Sequence, residues 1–237
     1  MAESIVVHHS FHSSALGYEK RYCIYLPPSY PYRPDLRYST LFLLPGLLDY
    51  ERTWVDRGRI QEHMDELLCA GTVGEMIVVM PDKDDAALDE NRRTEFAGYL
   101  GRDLIDHIDR EYRTLGWRGH RGIEGLSLGA SWAIRMLLYF PELYCSVGCL
   151  SGAFGEECWR LLEQKQWHLH RAGTRFRVGV GSSESDLIPG NLEFVNHLRG
   201  LGFYCEYDQM EGPHDWELWS RQVRHSLQFH YFSFNPK

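Results

Sequence analysis

The chain has no apolar run long enough to cross a bilayer, no C-x-x-C pair, no Gly/Ser-rich linker, no internal repeat and no surplus of basic residues. Each absence excludes something. A membrane-spanning helix needs about 20 consecutive apolar residues, and none is present. Against 25 Lys and Arg stand 33 Asp and Glu, a net charge of -8, which argues against a nucleic-acid binder with its basic stripe. The opening "MAESIVVHHSF" places an acid where a secretory leader carries its basic region, so the expectation is a cytoplasmic protein. Cys23, Cys69, Cys145, Cys149, Cys158 and Cys205 lack zinc-finger spacing and read as buried or idle thiols. His9 and His12 of "HHSFH" are possible metal ligands by type but have no carboxylate partner or helical context. Neither a metal nor an organic cofactor is expected.

What is there is an alternation. Strand-like runs occur at "RYCIYL", "RYSTLFLL", "EMIVVM", "RGIEG", "CSVGCL", "RFRVGVG" and "FYCEYDQ". Helix-like runs fall between most of them: "IQEHMDELLCAG", "EFAGYLGRDLIDHIDREY", "ASWAIRMLLYF", "EECWRLLEQKQW", "NLEFVNHLRGLG" and "DWELWSRQVRHSLQFHYF". This order predicts a mostly parallel sheet with helices on both faces. With nothing to divide the chain, residues 1–237 are expected to form one domain. The first two runs, joined by the Pro-rich "PPSYPYRPDLR", read as an antiparallel hairpin with a long loop.

In such sheets ligands bind beyond the carboxyl ends of the strands. There, "IEGLSLGASW" carries G-x-S-x-G at Gly125, Ser127 and Gly129, between a short strand and a helix with an apolar face. That context is the one a nucleophile elbow requires. A serine hydroxyl needs an imidazole to take its proton and a carboxylate to orient the imidazole. Of 12 histidines, only His214 in "MEGPHDWELW" follows the last strand-like run and directly precedes the last helix. The acid falls in "GVGSSESDLIPGN", where Glu184 is nearer the strand end and Asp186 is the alternative. The two oxyanion donors expected are the backbone N–H groups of Leu128, after the serine, and of Leu47 in "LLPGLLDYERTW", where Gly46 permits a close turn.

With these pieces in order the chain resembles the esterase D and enterochelin-esterase-like branch of the α/β-hydrolases, over nearly its whole length. The resemblance runs from "RYCIYLPPSY" and "LFLLPGLLDYERTW" through "LIDHIDREYR", "IEGLSLGASWAIRMLLYFPELY" and "CLSGAFG" to "NLEFVNHLRGLG" and "GPHDWELW". It implies the α/β-hydrolase fold and places the family's elbow on Gly125, Ser127 and Gly129, its histidine on His214, its acid on Glu184 and its first oxyanion donor on Leu47. Three positions depart from the family pattern: Pro45-Gly46 stands for His-Gly, Gly129-Ala130 for Gly-Gly, and Gly212-Pro213-His214 for Gly-Gly-His. The sequence around the acid does not match S-formylglutathione hydrolases.

The activity this implies is serine carboxylic-ester hydrolysis of a small-molecule substrate through an acyl-enzyme. Acyl transfer from the same intermediate is the alternative within enzymes. A binding protein that keeps the fold without catalysis is the alternative outside them. Leu48, Tyr50, Trp54, Trp132 and Trp216 are candidates to line the substrate cleft.

Overall fold

The computed structural model describes residues 3–235. Eight strands form one sheet: β1 (Ile5–Ser13), β2 (Tyr18–Leu26), β3 (Ser39–Leu44), β4 (Met76–Pro81), β5 (Arg121–Leu126), β6 (Ser146–Leu150), β7 (Arg175–Gly181) and β8 (Tyr204–Met210). Their spatial order is β1-β2-β4-β3-β5-β6-β7-β8, and every pairing from β4 to β8 is parallel. The central strands are covered on both faces; β3, β4, β5 and β6 are buried along their full lengths, β3, β4 and β6 as mostly apolar runs and β5 with Arg121 and Glu124 enclosed. Each fully buried Leu, Ile, Val or Phe contributes about 1.5–3 kcal/mol, so these strands anchor the molecule.

The helices are α1 (Thr53–Asp56), α2 (Ile60–Cys69), α3 (Arg93–Gly98), α4 (Leu104–Glu111), α5 (Leu128–Tyr139), α6 (Glu156–Arg171), α7 (Ile188–Gly200) and α8 (Trp216–Phe234). They divide the core in two. One apolar cluster joins Phe42, Ile77, Ile123 and Val147 to α5 through Ala133, Ile134 and Leu137. The other joins Leu41, Leu43, Val78 and Leu126 to Met64 of α2 and to Leu218, Val223 and Leu227 of α8. Alternate strand residues thus feed opposite layers, as the two-residue period of a strand dictates.

One expectation is corrected. β2 and β3 do not form a hairpin, because β4 lies between them; β2 pairs antiparallel with β1 on one side and β4 on the other. Its hairpin partner, β1, carries His8, His9 and His12, in a stretch where the sequence shows no strand-like run. The long helix expected over residues 95–112 is α3 and α4 joined by a π-helical turn, Tyr99–Asp103. There Gly101 faces Phe140, whose ring would lie 2.5 Å from an added Cβ.

Candidate active site

Ser127 stands between β5 and α5 with φ 53° and ψ -117°. A non-glycine residue with positive φ carries backbone strain of about 1–3 kcal/mol, and here the surroundings impose it. The Ser127 N–H donates to the Leu150 carbonyl at 2.8 Å, holding the turn to the end of β6. On either side the backbone passes too closely for a side chain. A Cβ on Gly125 would lie 2.3 Å from the Gly129 carbonyl, and one on Gly129 would lie 2.5 Å from the Pro45 carbonyl oxygen. The glycines of G-x-S-x-G are therefore needed for close approach, and the turn presents the serine hydroxyl clear of the backbone.

His214 lies in the turn after β8, immediately before α8. The Asp215 side chain accepts hydrogen bonds from the N–H groups of Glu217 and Leu218 at 3.0 and 3.1 Å. This cap fixes where the helix begins and so fixes the residue before it. The loop after β7 is stitched to the same turn, since the Ser182 and Ser183 amides donate to the Met210 and Gly212 carbonyls at 2.7 and 3.1 Å. Glu184 is carried on that loop.

These three elements bring Ser127, His214 and Glu184 into one chain. The Ser127 Oγ is 3.0 Å from His214 Nε2, and His214 Nδ1 meets Glu184 Oε1. The Glu184 side chain is 1 % exposed and that of His214 42 %, so the carboxylate is enclosed while the imidazole edge faces the cleft. Asp186 does not reach the histidine: it sits at the cavity rim, and its carboxylate accepts from the neighbouring Ser185 hydroxyl at 3.3 Å.

The sequence reading passed over two residues that hold the acid. The Ser151 hydroxyl donates to Glu184 Oε2 at 2.8 Å and accepts from the Trp219 indole N–H at 3.0 Å. Glu184 Oε2 also accepts from the Gly181 amide. Like Ser127, Ser151 has a positive φ, 52°, in a non-glycine residue. Trp219 stands edge-on to the His214 ring, with 4.8 Å between centroids. The available signal was the strand-end position of Ser151 in "CLSGAFG"; Trp219 gave none beyond helical spacing.

Leu128, the first residue of α5, and Leu47, on the loop after β3, both border the cleft at Ser127, and among the described residues neither backbone N–H has a protein acceptor. Gly46 is pinned by its own N–H to Asp49 Oδ2 at 3.1 Å. Asp49 Oδ1 in turn accepts from the Trp216 indole at 3.0 Å. The loop is thereby tied to α8.

Two cavities meet at Ser127 and His214. One, of about 550 Å³, is lined by Leu128, Ser131, Ala153, Ser183, Asp186 and Leu187. The other, of about 340 Å³, runs past Leu47, Leu48, Asp49, Arg57 and Trp216. Leu48, 92 % exposed, and Trp216 therefore stand where a cleft-lining residue should. Trp54 and Trp132 do not. Trp54 is fully buried, donating to the Leu44 carbonyl at 3.2 Å and meeting Trp216 edge-on. Trp132 is buried against Phe96 and donates to the Ala87 carbonyl at 3.1 Å. Large aromatic area finds its best use in the core, and both go there. Tyr50 is exposed but lines neither cavity.

Among the described residues no group of three or more His, Cys, Asp or Glu is placed to hold a metal. His12 lies 3.8 Å from Glu19, and His9 packs against Tyr22. Cys149, under the first turn of α5, points its thiol at the Ala130 carbonyl. Burial pushes its pKa well above the ordinary thiol value. Among the described residues no helix is long and apolar enough to cross a membrane.

The family described as "Putative esterase" matches residues 13–230. The endo-1,4-beta-xylanase/feruloyl esterase of Xylanibacter ruminicola is 28 % identical over 221 residues, which cover 90 % of this chain; the chain spans 29 % of that protein's length. Among solved structures, a ferulic acid esterase superposes with a TM-score of 0.86 at 24 % identity, covering 99 % of this chain and 100 % of that one. An S-formylglutathione hydrolase from Staphylococcus aureus gives 0.83 at 18 % identity, covering 97 % of each. At those identities the structural likenesses speak for the fold, while the sequence match from residue 13 to residue 230 speaks for the family. The chain belongs to the Esterase family of carboxylic ester hydrolases, built on the α/β-hydrolase fold.

Proposed function

We propose that the chain hydrolyses carboxylic esters through an acyl-enzyme on Ser127. His214 Nε2 takes the Ser127 proton as Oγ attacks the ester carbonyl, and the negative charge that forms on the carbonyl oxygen is held by the Leu47 and Leu128 amides. The tetrahedral species collapses with loss of the alcohol, which leaves with the proton from His214. Water then repeats the sequence on the acyl-enzyme and releases the acid. Glu184, fixed by Ser151 and the Gly181 amide, keeps the His214 Nδ1–H directed inward so that Nε2 is free to accept.

The observation that carries this reading is the uninterrupted contact from Ser127 Oγ through His214 to an enclosed carboxylate. The two cavities on either side of Ser127 supply room for the acyl part and the alcohol part of one ester. The name of the Xylanibacter relative makes hydroxycinnamoyl esters sensible first substrates beside simple nitrophenyl esters. The test is turnover of both by the wild type and by Ser127→Ala, with labelling by a fluorophosphonate. Turnover and labelling that both vanish in a folded Ser127→Ala protein support the reading. Turnover that survives in that variant would move the nucleophile elsewhere.

A further inference from the structure

The cavity beside Leu47 shares Arg57 and Trp216 with a neighbouring open cavity of about 380 Å³, which is also lined by Arg59, Glu217, Ser220 and Arg221. Three guanidinium groups therefore surround one extension of the cleft, in a chain whose net charge is -8. They are held there by the backbone. A Cβ on Gly58 would lie 2.6 Å from the Trp54 carbonyl oxygen and 3.1 Å from the Trp216 ring, so the turn from Arg57 to Arg59 lies tight against both tryptophans. Arg59 closes that turn in the left-handed region, at φ 53°.

The commitments of these arginines differ. Arg52 is paired with Asp56, and Arg59 with Glu62. Arg221 spends its N–H groups on the backbone carbonyls of Glu217 and Glu211. Arg57 lies 5.8 Å over the Trp216 ring, and among the described residues no carboxylate oxygen comes within 4.0 Å of it. The acids facing the same path are largely engaged. Asp49 accepts from Gly46 and Trp216, and Asp215 caps α8. Among the described residues Glu217 is the one acidic side chain lining the outer cavity. A planar guanidinium that lies over an indole and keeps its N–H groups free is suited to grip a carboxylate or phosphate.

We propose that this arginine-lined extension is a specificity subsite for an anionic group carried by the ester at a distance from the scissile carbonyl, with Arg57 its principal donor. The proposal rests on the ester-hydrolase reading above and narrows its substrate class to anionic esters.

The test compares matched charged and neutral substrates in two series. One varies the acyl side: nitrophenyl hemiesters of dicarboxylic acids of increasing length against nitrophenyl alkanoates of the same length. The other varies the alcohol side: acetate esters of hydroxyphenyl-alkanoic acids against those of the corresponding amides. In one series kcat/KM for the anion should exceed that for its neutral match by roughly three- to tenfold at low salt, the range expected of a charge-assisted hydrogen bond at a partly exposed site. The ratio should shrink as salt rises, fall toward one in Arg57→Gln and in Arg57→Gln/Arg221→Gln, and be partly kept in Arg57→Lys. The series that shows the effect identifies which half of the ester enters this cavity. Wild-type turnover of neutral esters with no anion preference in either series would overturn the subsite while leaving the hydrolase reading intact, as would a preference unchanged in the double variant. A wild type that turns over no ester in either series would overturn both.

Discussion

At the scale of single residues, the structure separates two carboxylates that the sequence left as alternatives. Glu184 meets His214 Nδ1, while among the described residues Asp186 bonds only its neighbour Ser185. On the proposed mechanism Glu184→Gln should lower kcat by roughly 10³–10⁴-fold, the scale seen when a buried triad acid loses its charge. Asp186→Asn should change it by less than about tenfold. Steady-state kinetics of the two variants decide the matter, and a reversed order would reassign the acid. Ser151 supplies a finer test. Its hydroxyl donates to Glu184 Oε2, and a hydrogen bond to a charged group is worth about 1.5–3 kcal/mol. Ser151→Ala should lower kcat by about tenfold with KM little changed. If it lowers only the melting temperature, Ser151 supports the fold and not the acid.

At the scale of elements, the site is made by three strand ends and the helices that follow them. Gly129 shows how closely these are fitted. A Cβ there would collide with the carbonyl oxygens of Leu44 and Pro45, at 2.6 and 2.5 Å, and both are backbone atoms that cannot swing aside. Gly129→Ala must displace either the first turn of α5 or the loop bearing Leu47. Overpacking of this kind typically costs about 1–3 kcal/mol, and loss of one oxyanion donor costs about 10²–10³ in rate. The variant should thus melt lower and lose at least about 10²-fold in kcat. Wild-type kinetics in Gly129→Ala would mean that the contact between elbow and loop does not position the donor.

This packing also explains which elements could be read from the sequence. The apolar runs of β3, β4 and β6 announce themselves because both faces of the sheet are covered. β1 does not, because it is an edge strand whose residues are mostly exposed, with Phe11 and Ser13 its buried positions. The pairing of β2 with β4 was hidden for another reason: "PPSYPYRPDLR" is a plausible hairpin loop locally, and only the sheet as a whole shows β3 placed further in. At the site, the meeting of Ser127, His214 and Glu184 was legible from the order strand-end serine, strand-end acid, histidine before the last helix, and the catalytic roles given to them belong to the proposed function. Trp54 and Trp132 were misplaced because an aromatic residue near a cleft and one beneath it look alike in sequence. Ser151 and Trp219 were missed because their roles depend on contacts between residues 33 and 68 positions apart.

At the scale of the whole molecule, partly buried histidines set how stability responds to pH. His63 bonds the Ser220 hydroxyl, His107 stacks on Phe11 and bonds the Tyr22 hydroxyl, and His120 bonds the Ser39 hydroxyl. For each, loss of hydration is the leading cause that lowers the pKa below the ordinary histidine value of 6.5. The folded protein therefore binds fewer protons than the unfolded chain between the lowered pKa values and 6.5. Stability rises with pH across that window, is fully present above it, and is lost as pH falls through it. Each differential proton can tilt the folding free energy by at most about 1.36 kcal/mol per pH unit. Asp82 acts in the opposite sense at lower pH, since burial raises its pKa above 3.8 and protonation there favours the folded state. The melting temperature should accordingly fall as pH drops from about 7.5 to 5.5, on the window set by these histidines. The combined variant His63→Gln/His107→Gln/His120→Gln should show a shallower fall. An equal slope in wild type and variant would assign the acid sensitivity to other groups, whereas a flattened slope would show that these three enclosed imidazoles tie the fold to pH independently of the histidine in the cleft.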